Sequence, residues 1–250
     1  MHNSKSNHKK VALVTGASRG IGSATALLLA ENGYDVAINY LQNKNKAEEV
    51  ANEARKFGVK AIVVKADLSI ESEITNMFLV IDKELGNITA LVNNGAVSSG
   101  LKSIEEIDFS YLEKLYKTNV FSAFICCREA IKRMKINGGG SIVNVSSLSS
   151  KLGGFKMTAY ASSKSAINNL TIGLSKEVAE FGIRVNSVSP GAIDTNAHKD
   201  TSEERKNHLI NSIPLGRFGS AKEVAQAIFW LISNKSSYVT GSTLSVTGGK

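Results

Sequence analysis

Tyr160 and Lys164 stand four residues apart in Tyr-Ala-Ser-Ser-Lys. On a helix, that spacing puts phenol and ammonium on one face. An unperturbed tyrosine titrates near 10, too high to exchange protons readily at neutral pH. A fixed positive charge beside it favours the phenolate and lowers that value. The pair is therefore a tunable general acid/base. Ile167, Leu174 and Val178 continue the same face, so Lys164 opens an otherwise apolar stripe, where a lysine needs a reason. Taken alone, Y-x-x-x-K is common enough to be an exposed chance pair, and its company must decide.

Ser147 precedes Tyr160 by thirteen residues and follows an apolar run at 141–145. A serine at a strand's carboxyl end faces the crevice where open α/β sheets bind ligands. Four of the five residues from 146 to 150 are serine, so Ser146 and Ser149 meet the same criterion. Asn119 falls inside a helical stripe of Leu112, Tyr116, Ala123, Cys127, Ala130 and Met134. A buried amide must find partners. Without further context, a satisfied structural asparagine is the plainer reading.

A third constellation is Thr15-Gly16-Ala17-Ser18-Arg19-Gly20-Ile21-Gly22, which follows the apolar run 11–14. Ile21, Ala24 and Leu28 then begin a helical pattern. Strand, glycine turn and helix in that order suit a pyrophosphate: glycines let backbone N–H groups approach it, and the helix N-terminus faces it.

These residues need elements to hold them. Apolar runs of strand length lie at 11–14, 35–40, 61–65, 89–93, 141–145, 184–188 and 243–246, separated by helical patterns. That alternation predicts repeated βαβ units. The fold class is α/β, a single-domain Rossmann-type doubly wound parallel sheet with helices on both faces. Residues 1–9 read as a flexible basic tail and 10–250 as one dinucleotide-binding catalytic domain. Two stretches depart from the alternation. Residues 105–135 are long for one helix. Residues 194–220 form a polar excursion, with a short helix near 203–211, suited to a substrate loop.

Composition closes off other classes. Of 250 residues, 42% are hydrophobic and 21% charged, ordinary for a globular chain. The two cysteines are adjacent, and the four histidines lack ligand spacing, so neither a disulfide scaffold nor a metal site is expected. The formal charge of +8 is spread along the chain except near Lys5, Lys9 and Lys10. Without aromatic-basic interleaving, no nucleic-acid partner is expected. No apolar run spans a membrane and the N-terminus lacks a secretory h-region, so the expected location is cytoplasmic.

In order along the chain, these motifs resemble the short-chain dehydrogenase/reductase family, whose glycine turn is T-G-x-x-x-G-x-G. The resemblance covers residues 10–249. Its serine-to-tyrosine spacing selects Ser147, and its fourth catalytic residue corresponds to Asn119, which supports a water linking Lys164 to solvent. The resemblance further implies that Lys164 holds the nicotinamide ribose and that Asp67, with Leu68, meets the adenine. Asn94, Gly95 and Ala96 would lie beside the cofactor, and Pro190, Gly191, Ile193 and Thr195 at the nicotinamide carboxamide. Among members, the chain looks most like bacterial 3-oxoacyl-carrier-protein reductases and glucose-dehydrogenase-like enzymes. Such relatives are usually homotetramers built through the long helices and the last strand, with a homodimer the smaller alternative. Cys126 and Cys127 then read as reduced packing or interface residues. One departure stands out: the family's N-N-A-G is here Asn93-Asn94-Gly95-Ala96. If position 96 needs positive φ, alanine costs free energy there, and a small change in cofactor affinity is expected. Thr247 stands where an Asp is common, and no function is attached to it.

NAD-specific sheets carry an acid near the end of the second strand. Here that end reads Asn39-Tyr40, without one, and these two residues are expected at the cofactor. Arg19 stands where NADP-preferring relatives have a basic residue, and a guanidinium suits a 2′-phosphate. Lys44 and Lys46 reach the same pocket or face water. The expected cofactor is NADP(H), with NAD(H) the alternative. The expected activity is hydride transfer between it and a carbonyl or alcohol substrate, with a 3-oxoacyl thioester the leading class. The alternatives are a sugar dehydrogenase of glucose type, a non-catalytic dinucleotide binder and a sugar-nucleotide epimerase, for which the chain is short. Pocket-lining positions are expected at Ser98, Ser99, Ser149, Phe155 and near His198, with His198 and His208 more simply read as exposed.

Overall fold

The computed structural model describes residues 10–97, 100–195 and 202–250. The expected tail, Ser98, Ser99, His198 and part of the expected substrate loop lie outside the described residues. Among the described residues there are nine strands: β1 (Val11–Val14), β2 (Asp35–Tyr40), β3 (Ala61–Lys65), β4 (Ala90–Asn93), β5 (Gly140–Val145), β6 (Ile183–Pro190), β7 (Ile193–Asp194), β8 (Gly219–Ser220) and β9 (Thr243–Val246). Seven form one parallel sheet in the order β3-β2-β1-β4-β5-β6-β9. Between β1 and β4 the winding reverses, which opens a crevice at their carboxyl ends.

The helices are α1 (Gly20–Glu31), α2 (Lys44–Arg55), α3 (Glu71–Glu84), α4 (Phe109–Tyr116), α5 (Ser122–Ile136), α6 (Ser149–Leu152), α7 (Thr158–Val178), α8 (Glu203–Asn211) and α9 (Ala221–Ile232). They cover both faces, so the central strands are buried on both sides and read as continuous apolar runs rather than alternations. Alternate residues of β1 serve two cores: Ala12 and Val14 pack in the cluster of Leu29 and Ile228, Val11 and Leu13 in that of Phe78 and Met134. Among the described residues no helix is long and apolar enough to cross a membrane.

The long stretch 105–135 is not one regular helix. A π-helical turn, Lys117–Phe121, joins α4 to α5. Its extra residue advances the helical phase. Leu115 is therefore buried, where the stripe predicts Leu112 and Tyr116, both only half-buried. Ala123, Cys127, Ala130 and Met134 keep the predicted face. Cys126 and Cys127 are free thiols inside this core, and burial pushes the Cys127 thiol up to about 12. The excursion after β6 contains the short β7·β8 ladder and α8, on which His208 is exposed.

Candidate active site

The glycine turn wraps the amino end of α1. Gly16 has φ +59°, and a Cβ built on it would lie 2.8 Å from Gly95 Cα. At Gly22 a Cβ would lie 2.6 Å from Asn94 Nδ2 and 2.7 Å from the Gly16 carbonyl oxygen. No side chain caps α1, and its first turn holds no acid, which leaves its positive end available to an anion. Ser18, Gly20 and Ile21 are half-buried and Arg19 is exposed. A methyl on Gly20 would make ordinary contact with Thr195 Cγ2, at 3.7 Å, so Thr195 borders the turn. A glycine turn packed this closely at the uncapped N-terminus of a helix fits a dinucleotide pyrophosphate.

Thr15 stitches this turn to the segment after β4. Its Oγ1 accepts the Asn94 and Gly95 N–H groups, both at 2.9 Å. Asn94 Nδ2 donates to the Thr15 and Gly16 carbonyls, at 2.9 and 3.2 Å. Asn94 is expected at the cofactor, but its amide is committed to this stitch. Sequence reasoning passes over Thr15, although it opens the glycine motif. The expectation for Asn39 and Tyr40 also changes, since both side chains are buried. Asn39 Oδ1 accepts the Gly16 N–H at 3.0 Å, and its Nδ2 donates to the Ala66 carbonyl at 3.2 Å. Asn39 thus spends its hydrogen bonds anchoring the glycine turn to the end of β3, not on a ribose. Half-buried Asp67 accepts from Ser69 N and Ser69 Oγ through Oδ1, at 2.8 and 2.7 Å.

The Gly95-Ala96 departure resolves in terms of space. Ala96 is exposed and is not among the residues of positive φ, so the anticipated strain and its effect on affinity have no basis. The constraint sits at Gly95, where an added Cβ would collide with Leu68 Cδ1 and lie 3.3 Å from Gly16 N and Thr15 Oγ1. Buried Leu68 fills the space that an alanine methyl would need. Gly95→Ala is therefore expected to destabilise the fold by about 1–3 kcal/mol. Adding Leu68→Val should recover most of that loss. Thermal unfolding of the two single variants and the double closes the cycle. Additive losses would refute this size complementarity.

Four side chains meet beyond the carboxyl ends of β4 and β5. Tyr160 and Lys164 lie on α7, Ser147 follows β5, and Asn119 sits in the π-helical turn. The serine cluster sorts itself by partners. Ser146 is buried and donates to the Lys164 carbonyl at 3.1 Å. Ser147 accepts the Ser149 N–H at 3.2 Å and has its hydroxyl beside the Tyr160 phenol. Burial pushes the phenol above its ordinary value, and the nearby Ser147 hydroxyl pulls it part of the way back. Lys164 Nζ lies 5.9 Å from the Tyr160 ring centre and donates to the Val145 carbonyl at 2.8 Å. Lys164 is buried, and that burial brings its ammonium down to about 8.

Asn119 is buried and clasps Val97 from both ends of its amide: Oδ1 accepts Val97 N–H at 2.8 Å and Nδ2 donates to the Val97 carbonyl at 3.0 Å. Behind it lies a cavity of about 10 Å³ lined by Asn119, Lys164, Val145, Asn93 and Thr15 among others. That is the lower bound of room for one water. At the far side of the crevice, Gly191 N–H donates to Val246 at 2.9 Å and the Pro190 carbonyl accepts Leu148 N–H at 2.9 Å. Pro190 and Ile193 are buried.

A family model described as enoyl-(acyl carrier protein) reductase matches residues 16–250. The chain is 50% identical over 245 residues to the uncharacterized oxidoreductase YgfF of Escherichia coli, covering 96% of this chain and 99% of that one. It is 36% identical to 3-oxoacyl-[acyl-carrier-protein] reductase FabG of Staphylococcus aureus, over 96% of this chain and 97% of the relative. Among solved structures, acetoin dehydrogenase YohF from Salmonella typhimurium superposes with a TM-score of 0.87 at 34% identity, covering 97% of both chains. A putative short-chain alcohol dehydrogenase from Sinorhizobium meliloti does so at 0.91 and 31% identity, covering 96% of this chain and 95% of that one. This chain is a short-chain dehydrogenase/reductase. It is accordingly an NAD(P)-dependent oxidoreductase. Within this family member, the residues that sequence reasoning missed are the second layer: Thr15, Val97, Ser150, Ser165 and Asn168, whose hydrogen bonds hold the predicted ones.

Proposed function

We propose that this chain is an NADPH-preferring reductase of carbonyl substrates, with 3-oxoacyl thioesters the leading substrate class and the reverse alcohol oxidation available. One observation carries the reading. The phenol that would act as acid lies beside Ser147, with buried Lys164 one helical turn along, and Lys164 shares a small cavity with Thr15 of the glycine turn. A bound nicotinamide would supply the hydride to the carbonyl carbon or take it from the alcohol. The glycine turn, Thr195, Pro190, Gly191 and Ile193 would hold the dinucleotide, with Asp67 towards the adenine. Ser147 donates a hydrogen bond to the substrate oxygen. Tyr160 gives that oxygen its proton, and Lys164, as an ammonium at the ribose, favours the resulting phenolate. Asn119 keeps the cavity behind Lys164 open as a proton path.

NADPH is favoured because the end of β2 carries no acid and exposed Arg19 offers a guanidinium at the turn. The thioester class is supported by the similarity to FabG. A second reading, a small hydroxyketone, is supported by the similarity to acetoin dehydrogenase. We also infer a homotetramer, with a homodimer as the alternative. Phe121 and Phe124 beside and on α5 are 53% and 49% exposed and Tyr238 before β9 is fully exposed, surface that a partner copy would cover and sedimentation would read.

The deciding assay follows reduced-nicotinamide absorbance with NADPH and NADH against an acetoacetyl thioester, small ketones including acetoin, and glucose with the oxidised cofactors. Thioester reduction with NADPH is expected. Arg19→Ala should raise KM for NADPH by about tenfold and leave NADH unaffected. An NADH preference that survives Arg19→Ala refutes the cofactor assignment. Glucose oxidation moves the enzyme to sugar chemistry, and tight NADPH binding without turnover on any substrate favours a non-catalytic binder.

A further inference from the structure

Ser147 must aim its hydroxyl at the same substrate oxygen as Tyr160, yet the two belong to different elements. Ser147 precedes α6, a helix of four residues, too short to hold itself. Backbone bonds from Ser146 N–H to Val188 at 2.8 Å and from Leu148 N–H to Pro190 at 2.9 Å tie its neighbours to β6, and a set of hydrogen bonds from both sides of Ser147 ties the segment to α7. Ahead of it, Ser146 Oγ donates to the Lys164 carbonyl at 3.1 Å. Behind it, Ser165 Oγ donates to the Ser150 carbonyl at 2.8 Å. Asn168 Nδ2 donates to Ser150 Oγ at 2.8 Å. Ser165 and Asn168 lie one and four residues beyond Lys164, on the helix that carries the acid itself. Ser187 Oγ completes the tie, donating to Asn168 Oδ1 at 3.4 Å and meeting Thr243 Oγ1 at 2.6 Å.

The consequence reaches Ser147 through Ser149. The Ser149 N–H donates to Ser147 Oγ at 3.2 Å and so occupies one lone pair of the hydroxyl. Its proton must then point elsewhere. Turning α6 would move that N–H and release the hydroxyl to other rotamers. We propose that Ser165 and Asn168 are positioning residues, which lock α6 to α7 through Ser150 and thereby keep the Ser147 hydroxyl in register with the Tyr160 phenol. This inference rests on the reading of Ser147 and Tyr160 given above. It also accounts for the serine run 146–150, in which Ser146 and Ser150 brace the one member that faces the substrate.

The test compares the full-length parent, Asn168→Ala, Ser165→Ala, their double variant and Asn168→Asp, with Tyr160→Phe beside them. Amide exchange over 146–152, cofactor affinity, kcat and KM are measured on each. In the double variant, exchange over 146–152 should accelerate while α7 stays protected, and kcat should fall by about 10- to 100-fold. Cofactor affinity should stay at the parent value. Asp at 168 can accept from Ser150 Oγ and should restore both slow exchange and kcat. Faster exchange with parental kcat would overturn the proposal, as would unchanged exchange. So would equal losses in kcat and cofactor affinity, which would mark a general structural defect. Full turnover in Tyr160→Phe would instead refute the underlying assignment, and the exchange data would still report whether the lock exists.

Discussion

Tyr160→Phe is expected to lower kcat by about 10²- to 10⁴-fold, the range for a positioned general acid, with cofactor affinity unchanged. On the reading proposed above, the phenol is the group whose proton a substrate oxygen would take, and the Ser147 hydroxyl lies beside it. Burial holds that proton above its ordinary range, so the phenol carries its proton at neutral pH before substrate binds. Removing the oxygen deletes the donor while leaving the ring to fill its space. Steady-state kinetics together with a cofactor titration separates the two effects. Retained turnover would remove Tyr160 from the chemistry. Lost cofactor affinity would mean that the ring, not its hydroxyl, matters most.

Lys164→Met should abolish turnover to a similar degree, and its effect on stability should have the opposite sign. The ammonium is buried against the Val145 carbonyl and a small cavity lined by Asn93, Asn119 and Thr15, and its value falls from 10.5 to about 8. At pH 7 it is nonetheless charged, and that mismatch costs the fold about 3 kcal/mol. A methionine of similar length removes the charge. It also leaves the Val145 carbonyl without its donor, a loss of about 1 kcal/mol. The variant should therefore be more stable than the parent at pH 7, by about 2 kcal/mol on these terms. Between pH 8 and 10.5 the unfolded parent still binds the proton that the folded parent has released. Parent stability therefore gains on the variant as pH rises through that window. Urea unfolding of both proteins at pH 7 and pH 10 tests this. A variant less stable at pH 7, with a gap that pH does not move, would show that Lys164 stabilises the free enzyme.

Sequence alone determined the architecture, because buried parallel strands and covering helices each leave a periodic trace. Runs at 11–14, 35–40, 61–65 and 243–246 match β1, β2, β3 and β9 end to end. It also singled out the candidate reactive side chains, since glycine turns, Tyr-Lys spacing and a serine after a strand are short-range patterns. Tertiary structure decided what long-range contacts decide. It separated Ser147 from Ser146 by showing that the latter is spent on the Lys164 carbonyl, eighteen residues away. It tied Asn39, expected at the cofactor, to the Gly16 N–H as an anchor of the glycine turn, because a strand-end residue faces the core or the crevice according to neighbours that periodicity does not contain. It moved the cost of the Gly95-Ala96 swap onto Leu68, a contact across the crevice. It also broke the long helix at Lys117–Phe121, where one extra residue per turn swings Asn119 inward. The Ser150, Ser165 and Asn168 lock was illegible for the same reason. Each of its members is an ordinary polar residue locally, and it acquires a role only when α6 is laid against α7.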